Sequence, residues 1–179
     1  MKPLSRTLIK IIKRQLQQPI QFGVEVGVWR GDTSKNLLLS FPDLQLSMVD
    51  PYADDYVMKT ATVSNTEARN EAKQQTIAFA DRARRYYIPS VEAASMHRHD
   101  FYDFVFIDAN HDYDQVKADL AAWWPVVRTN GLFCGHDYGN SGDRRNAYGV
   151  KRAVDEFVEQ HKLKLKTDER TAIWWVIKA

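Results

Sequence analysis

The segment Gln21-Phe-Gly-Val-Glu-Val-Gly27-Val-Trp-Arg-Gly31 decides the fold, because it joins a short apolar run to a turn that is rich in glycine. The apolar run predicts a buried strand, and the following polar-then-leucine segment predicts a helix that begins at Asp32 or Thr33. Gly27 would let the chain turn sharply after the strand, and Gly31 would let the helix pack closely. Free amides at that helix start could receive an anion.

The rest of the chain alternates apolar runs with segments of helical spacing. Strands are predicted at 44–49, 85–88, 104–107, 131–135, near Leu163 and at 172–177. Helices are predicted at 4–17, from a capping box at Ser64 and Glu67 to about residue 84, from Tyr113 onward, and around 150–158. This alternation predicts an α/β fold with a mostly parallel, doubly wound sheet covered by helices on both faces.

Length and composition limit the function classes. The chain has 179 residues, which predicts one domain over 1–179 with an N-terminal helix at 1–17. Its 25 basic and 23 acidic residues give a net charge of +2, which argues against nucleic acid as the partner. The single cysteine, Cys134, excludes an internal disulfide and a zinc site built on two thiolates. No apolar run predicts a membrane span or a signal peptide, so we expect no membrane partner and a cytoplasmic protein.

Acidic residues and a histidine lie at the ends of four predicted strands, where ligands bind in doubly wound sheets. They are Glu25 in the first motif, Asp50, Asp108 and the pair His136-Asp137. Asp50 can accept hydrogen bonds from both hydroxyls of a ribose. The second glycine of a dinucleotide motif is replaced by Trp29, whose indole would block a pyrophosphate. A ligand with a ribose and a carboxylate but no phosphate fits better, and S-adenosylmethionine is such a ligand.

Four motifs together resemble the class I S-adenosylmethionine-dependent methyltransferases, in particular the small O-methyltransferase-like branch. They are Glu25-x-Gly27-x-x-x-Gly31, Asp50, Phe104-Val-Phe-Ile-Asp108-Ala-Asn-His111 and Gly131-Leu-Phe-Cys-Gly-His136-Asp137-Tyr. The resemblance covers residues 20–178. It implies a Rossmann-like methyltransferase sheet of seven strands with the last strand antiparallel, and S-adenosyl-L-methionine as the cofactor.

The resemblance also implies roles for individual residues. Glu25 would approach the amino group of the methionine moiety, and Asp108 would lie near the same group or a metal. The other expected cofactor contacts are Gly27, Trp29 and Gly31 around the methionine moiety, Thr33 at its carboxylate, Asp50 and Tyr52 at the ribose, and Ser90 and Val91 at the adenine.

Methyl transfer to a hydroxyl needs a group that takes up the proton. We expect this catalytic role for His111, with Asp108 and Asp137, since the base of metal-assisted O-methyltransferases occupies the place of His111. Asp108, His136 and Asp137 could hold Mg²⁺ or Mn²⁺. The alternative is that His136 and Asp137 only orient the acceptor, and Tyr138 stands where a further metal ligand is expected.

The acceptor is expected to be a small molecule, a sugar or a hydroxylated metabolite, and the sequence leaves a homo-oligomer open. A nicotinamide-dependent oxidoreductase and a non-catalytic cofactor-binding module are the alternatives. The polar loop at 139–148 could fold over the acceptor, with Arg144 or Arg145 meeting an acidic group on it, and the pair Asp54-Asp55 could belong to a lid. His97 and His99 are expected in an exposed turn.

Overall fold

A single seven-stranded sheet organises the protein. The computed structural model describes residues 1–17, 19–53, 63–140 and 148–179. The strands are β1 (Phe22–Val26), β2 (Gln45–Val49), β3 (Ala83–Tyr86), β4 (Tyr102–Ile107), β5 (Val127–Gly135), β6 (Lys166–Asp168) and β7 (Ile173–Ile177). Their order in the sheet is β3-β2-β1-β4-β5-β7-β6, and of these seven strands β7 runs in the direction opposite to the other six. The predicted fold class is therefore confirmed.

Helices cover both faces of this sheet, as the apolar pattern predicts. They are α1 (Pro3–Gln15), α2 (Asp32–Ser40), α3 (Asn65–Gln75), α4 (Ser90–Ser95), α5 (Tyr113–Trp123) and α6 (Val150–Gln160). Successive residues of β4 point to opposite faces, so Phe104 joins the core under α1 and α2 while Val105 joins the core under α5 and α6. Within the described part of the chain, no helix is long and apolar enough to cross a membrane.

Several boundaries differ from the sequence prediction, since β3 spans Ala83–Tyr86 instead of 85–88 and β5 begins at Val127 instead of residue 131. The capping box of α3 is present, but the helix ends at Gln75 instead of continuing to about residue 84. The backbone of the segment that follows is needed for sheet pairing, because Leu46 N donates to Arg82 O and Ala83–Tyr86 then pairs with β2. Likewise β6 lies at Lys166–Asp168 instead of near Leu163, where its backbone pairs with β7. Tertiary pairing overrides the local signal at both places.

The crevice of the sheet lies where β1 has β2 on one side and β4 on the other. At this point the strand order reverses, and doubly wound sheets bind ligands outside the carboxyl ends of the strands there. Gly27 ends β1 with φ +88°, and a Cβ atom on it would come 2.1 Å from the carbonyl oxygen of Asp108. Only glycine therefore lets the end of β1 lie against the end of β4, which places these two strand ends side by side.

Candidate active site

Asp50 holds the loop between β1 and α2 by its carboxylate. Its Oδ2 accepts hydrogen bonds from the amides of Val28 (3.0 Å) and Trp29 (2.8 Å). Its Oδ1 accepts the amide of Tyr52 at 3.0 Å. Burial raises the pKa of Asp50, and these three backbone hydrogen bonds oppose that rise by stabilising the charged form. Among the described residues, Oδ1 has one donor, and it keeps capacity for another hydrogen bond, such as one from a ribose hydroxyl.

The backbone of Trp29 is engaged within the same loop. Its amide donates to Asp50, its carbonyl oxygen accepts from the Tyr52 hydroxyl at 2.7 Å, and its φ is +50°. The amides of Val28 and Trp29 therefore point at a carboxylate of the protein. This adds a second obstacle to a pyrophosphate, because the two loop amides that could cradle it are already used.

Glu25 is a buried carboxyl in the middle of the crevice. It lies on β1, is 1% exposed, and accepts a hydrogen bond from the Ser34 hydroxyl of α2. Burial raises the pKa of Glu25 to about 8, the Ser34 hydrogen bond opposes the rise, and the nearby carboxylates of Asp108 and Asp50 add to it. A pKa raised to this value keeps Glu25 largely protonated at neutral pH.

The raised pKa of Glu25 predicts a pH-dependent stability. Between about pH 4.5 and pH 8 the folded protein keeps this proton and the unfolded chain releases it, so unfolding becomes easier as the pH rises. Replacing Glu25 with Gln removes this contribution and keeps the acceptor for Ser34. We expect the melting temperature of E25Q, relative to the parent protein, to rise progressively from pH 5 to pH 8. Differential scanning fluorimetry across this range measures it, with E169Q at an exposed carboxylate as the control; a constant difference would contradict the assignment.

The remaining predicted cofactor residues lie at the starts of α2 and α4. Gly31 caps α2 with φ +79°, and a Cβ atom there would come 2.8 Å from Cα of Ala72. Thr33 is 8% exposed, and its hydroxyl lies 3.3 Å from that of Ser5 on α1. Ser90 begins α4 after β3 and accepts the indole N–H of Trp123 at 2.8 Å. Val91 follows it on the surface and is 44% exposed.

Two histidines and two aspartates meet beyond the ends of β4 and β5. Nε2 of His111 lies 2.7 Å from Oδ2 of Asp137. Nδ1 of His136 lies 3.2 Å from both Oδ1 of Asp108 and Oδ2 of Asp137. One ligand atom each from Asp108, His111 and Asp137 lie within 4.8 Å of one another. The cluster thus contains all the predicted catalytic and metal-ligating residues.

The histidines and carboxylates of this cluster stabilise each other's charged forms. Burial lowers the pKa of His136, but hydrogen bonds to Asp108 and Asp137 outweigh burial and raise it to about 10. Burial likewise lowers the pKa of His111, and the hydrogen bond and charge of Asp137 reverse this into a net rise. Burial raises the pKa of Asp137, and its two histidine partners bring it far below its ordinary value. Asp137 is therefore a carboxylate between two imidazole rings.

Several partners of these residues carried no signal in the sequence. The Tyr148 ring stacks on His111 with ring centroids 4.3 Å apart, and the Asn140 amide donates to Asp137. Ser34 could have been inferred, because it shares the inward face of α2 with Leu37 and Leu38, where a polar group needs a partner. Arg144, Arg145 and the pair Asp54-Asp55 lie outside the described residues, so their roles stay predictions.

His97 differs from its prediction as an exposed residue. It is 5% exposed, and its ring packs among Tyr86, Tyr102 and Trp123. Its Nδ1 lies 2.7 Å from the carbonyl oxygen of Ala93, and burial lowers its pKa. This neutral histidine is part of the packing between the sheet and α5.

The strand order, the glycine turn at the β1–β4 crevice and the acidic strand ends define a Rossmann-like methyltransferase. Residues 24–138 match the sequence model of a family described as a methyltransferase domain. The chain belongs to this family and is a class I S-adenosylmethionine-dependent methyltransferase. No curated protein matches the sequence.

Solved structures share the fold at low sequence identity. The O-methyltransferase NovP is 16% identical, with a TM-score of 0.71 over 98% of this chain and 79% of its own. An O-methyltransferase from Bacillus cereus in complex with SAH is 14% identical, with a TM-score of 0.67 over 99% and 82%. An rRNA methylase from Streptococcus thermophilus is 11% identical, with a TM-score of 0.64 over 99% and 96%. The shared fold therefore occurs with different acceptors.

Proposed function

We propose that this protein transfers a methyl group from S-adenosylmethionine to a hydroxyl oxygen of a small-molecule acceptor, a sugar or a hydroxylated metabolite. The observation that carries the proposal is the 2.7 Å contact between His111 Nε2 and Asp137 Oδ2, beside the loop that would hold the cofactor. A hydroxyl is a poor nucleophile at neutral pH, so its methylation needs a proton acceptor beside the methyl donor. This pair supplies one.

His111 would act as the general base. Asp137 favours the neutral tautomer whose Nε2–H donates to its carboxylate, which leaves Nδ1 to accept a proton. The acceptor oxygen attacks the methyl carbon in line with the S–CH3 bond, and the sulfur leaves with the bonding electron pair as S-adenosylhomocysteine. The acceptor proton passes to His111, and the Asp137 carboxylate stabilises the imidazolium that forms.

The cofactor would lie across the ends of β1 and β2. Asp50 would receive the ribose at the free capacity of Oδ1, with Tyr52 beside it, and Ser90 and Val91 would face the adenine. Glu25 would face the methionine ammonium, whose positive charge favours the carboxylate form and lowers the raised pKa. The methionine carboxylate would contact Thr33 at the start of α2. The turn residues Gly27, Trp29 and Gly31 would surround the methionine moiety.

A divalent metal fits the donors of the cluster. Asp108, His136 and Asp137 would hold it, and carboxylate oxygens of Asp108 and Asp137 lie within 4.8 Å of each other. Two carboxylates with an imidazole suit Mn²⁺ and, with bound water, Mg²⁺. Such an ion would supply Lewis-acid stabilisation of the acceptor oxygen. Activity that stays unchanged in excess EDTA would remove the metal from the proposal.

Binding and turnover of the cofactor test the proposed function. We expect S-adenosylhomocysteine at millimolar concentration to raise the melting temperature, since a ligand that binds only the folded state stabilises it. With radiolabelled S-adenosylmethionine, we expect label in hydroxylated small molecules of a screening panel. Absence of any thermal shift would contradict cofactor binding. Binding without transfer to any acceptor would favour the non-catalytic module, and label in RNA alone would overturn the small-molecule acceptor.

A further inference from the structure

A groove of about 470 Å³ lies between α1 and the hairpin formed by β6 and β7. Its volume is within the range of small-molecule sites in proteins. Ile11 of α1 and Trp175 of β7 give it apolar walls. Its basic lining residues are Arg6, Lys10, Arg14 and Arg170.

Among the described residues that line this groove, the basic side chains outnumber the acidic ones. Arg6, Lys10 and Arg14 recur every four residues and therefore share one face of α1, where like charges repel. Within the described residues, none of the four basic side chains forms an ion pair. Among the described lining residues, Asp168 supplies one negative charge against these four cations, and its Oδ1 accepts hydrogen bonds from the Thr171 amide (3.0 Å) and hydroxyl (2.8 Å). An anion in the groove would relieve the repulsion among these cations.

Both walls of the groove are joined to the candidate active site. On α1, the Ser5 hydroxyl lies 3.3 Å from that of Thr33, which is expected at the cofactor carboxylate. On the hairpin, the carbonyl oxygen of Ala172 accepts the amide of Tyr138 at 3.0 Å, directly after Asp137. The two elements that line the groove therefore contact, respectively, the expected cofactor side and the proposed acceptor side of the site.

We propose that this groove binds an anionic group of the acceptor, a phosphate or a carboxylate, while the acceptor hydroxyl lies at His111. This inference rests on the proposed function and deepens it by naming the acceptor class. Guanidinium groups pair with both kinds of anion through two parallel hydrogen bonds, and the groove presents three of them beside one ammonium. The Trp175 side chain gives the uncharged part of the acceptor an apolar surface.

A small anion fits the groove better than an RNA backbone does. The net charge of the whole chain is only +2, whereas a protein that follows a phosphate backbone needs an extended basic surface. The uncompensated cations here surround a volume of small-ligand size. The proposal therefore commits to a small acceptor with one anionic end, and RNA becomes an outcome of the test.

Calorimetric titration of the full chain at low ionic strength tests this assignment, since salt screens exposed charges. Sodium pyrophosphate and sodium succinate are titrated separately, which distinguishes a phosphate site from a carboxylate site. For the anion that the parent protein binds, we expect K10Q/R14Q to raise the Kd at least about tenfold, which corresponds to about 1.4 kcal/mol. The control K35Q/K73Q removes the same charge from exposed positions on α2 and α3, and we expect less than a twofold change.

Three outcomes would overturn the groove assignment. They are no binding of either anion at millimolar concentration, equal weakening in the control, and tighter binding of a single-stranded RNA that K10Q/R14Q abolishes. A parallel titration with S-adenosylhomocysteine separates this inference from the proposed function. If the parent protein binds S-adenosylhomocysteine but neither anion, the groove assignment alone is contradicted. If the parent protein does not bind S-adenosylhomocysteine, the proposed function is contradicted, and the acceptor assignment that rests on it is contradicted as well.

Discussion

Replacing His111 with Ala is expected to lower kcat by about 10²–10⁴-fold, the usual contribution of a positioned general base. The imidazole ring accepts the acceptor proton in the proposed reaction, and alanine leaves the neighbouring Asp137 carboxylate without its 2.7 Å partner. In the proposed arrangement the ring lies on the acceptor side of the crevice, so binding of S-adenosylhomocysteine should stay within about twofold of the parent value. Initial rates of S-adenosylhomocysteine release, with the acceptor found in the screening panel, measure the effect.

His99 offers a matched control, since it is an exposed histidine on the turn between α4 and β4. H99A should keep the parent rate. D137N separates the base from the residue that positions it: the neutral amide introduced by this substitution cannot stabilise an imidazolium, so kcat should fall while KM for the cofactor stays unchanged. A parent-like kcat in H111A would remove His111 from the mechanism, whatever the other variants do.

Replacing Asp50 with Ala is expected to raise the Kd for S-adenosylhomocysteine by at least about 100-fold. The carboxylate accepts three backbone amides that shape the loop between β1 and α2, and it is the proposed partner of the ribose. Hydrogen bonds to a charged group contribute about 1.5–3 kcal/mol each, and each 1.4 kcal/mol is a factor of ten in affinity. The loss of one hydrogen bond to the ribose accounts for about tenfold or more, and the loop that loses its carboxylate acceptor accounts for the rest of the expected change, which calorimetric titration measures.

The loop amides left without an acceptor should also lower the melting temperature of D50A in the absence of ligand. D43A is the matched control, because Asp43 is an exposed aspartate before the same strand, β2, and should leave both quantities unchanged. Full affinity of D50A for S-adenosylhomocysteine would place the ribose elsewhere and contradict the proposed cofactor position.

The local order of the fold follows from short-range patterns in the sequence. Apolar runs of four to six residues between helical segments require a sheet buried on both faces, and a residue directly after such a run must lie at the ligand-binding edge. Asp50, Asp108 and Asp137 follow such runs and Glu25 lies near the end of one, so sequence reasoning predicts all four at one edge. It misplaced the end of α3 and the position of β6, since both depend on pairing with a strand distant in sequence.

The loop at Trp29 is unsuited to a pyrophosphate for a steric reason and for a hydrogen-bonding reason. The sequence indicated that a bulky side chain would exclude a pyrophosphate, and the structure adds that the amides of Val28 and Trp29 already donate to Asp50. No local sequence pattern predicts these hydrogen bonds, because the amides follow β1 and Asp50 follows β2. Asp50 consequently has two tasks in the proposal, shaping the loop and receiving the ribose.

The sequence by itself determined the fold class, the family and the edge of the sheet where the chemistry must lie, because strand periodicity and strand-end residues are local properties of the chain. Only the tertiary structure decided which groups touch. It paired His111 with Asp137, set His136 between two carboxylates, gave Glu25 its Ser34 partner and buried His97. These contacts join residues on separate elements at distances of a few ångströms, and such distances are fixed by how helices and strands pack.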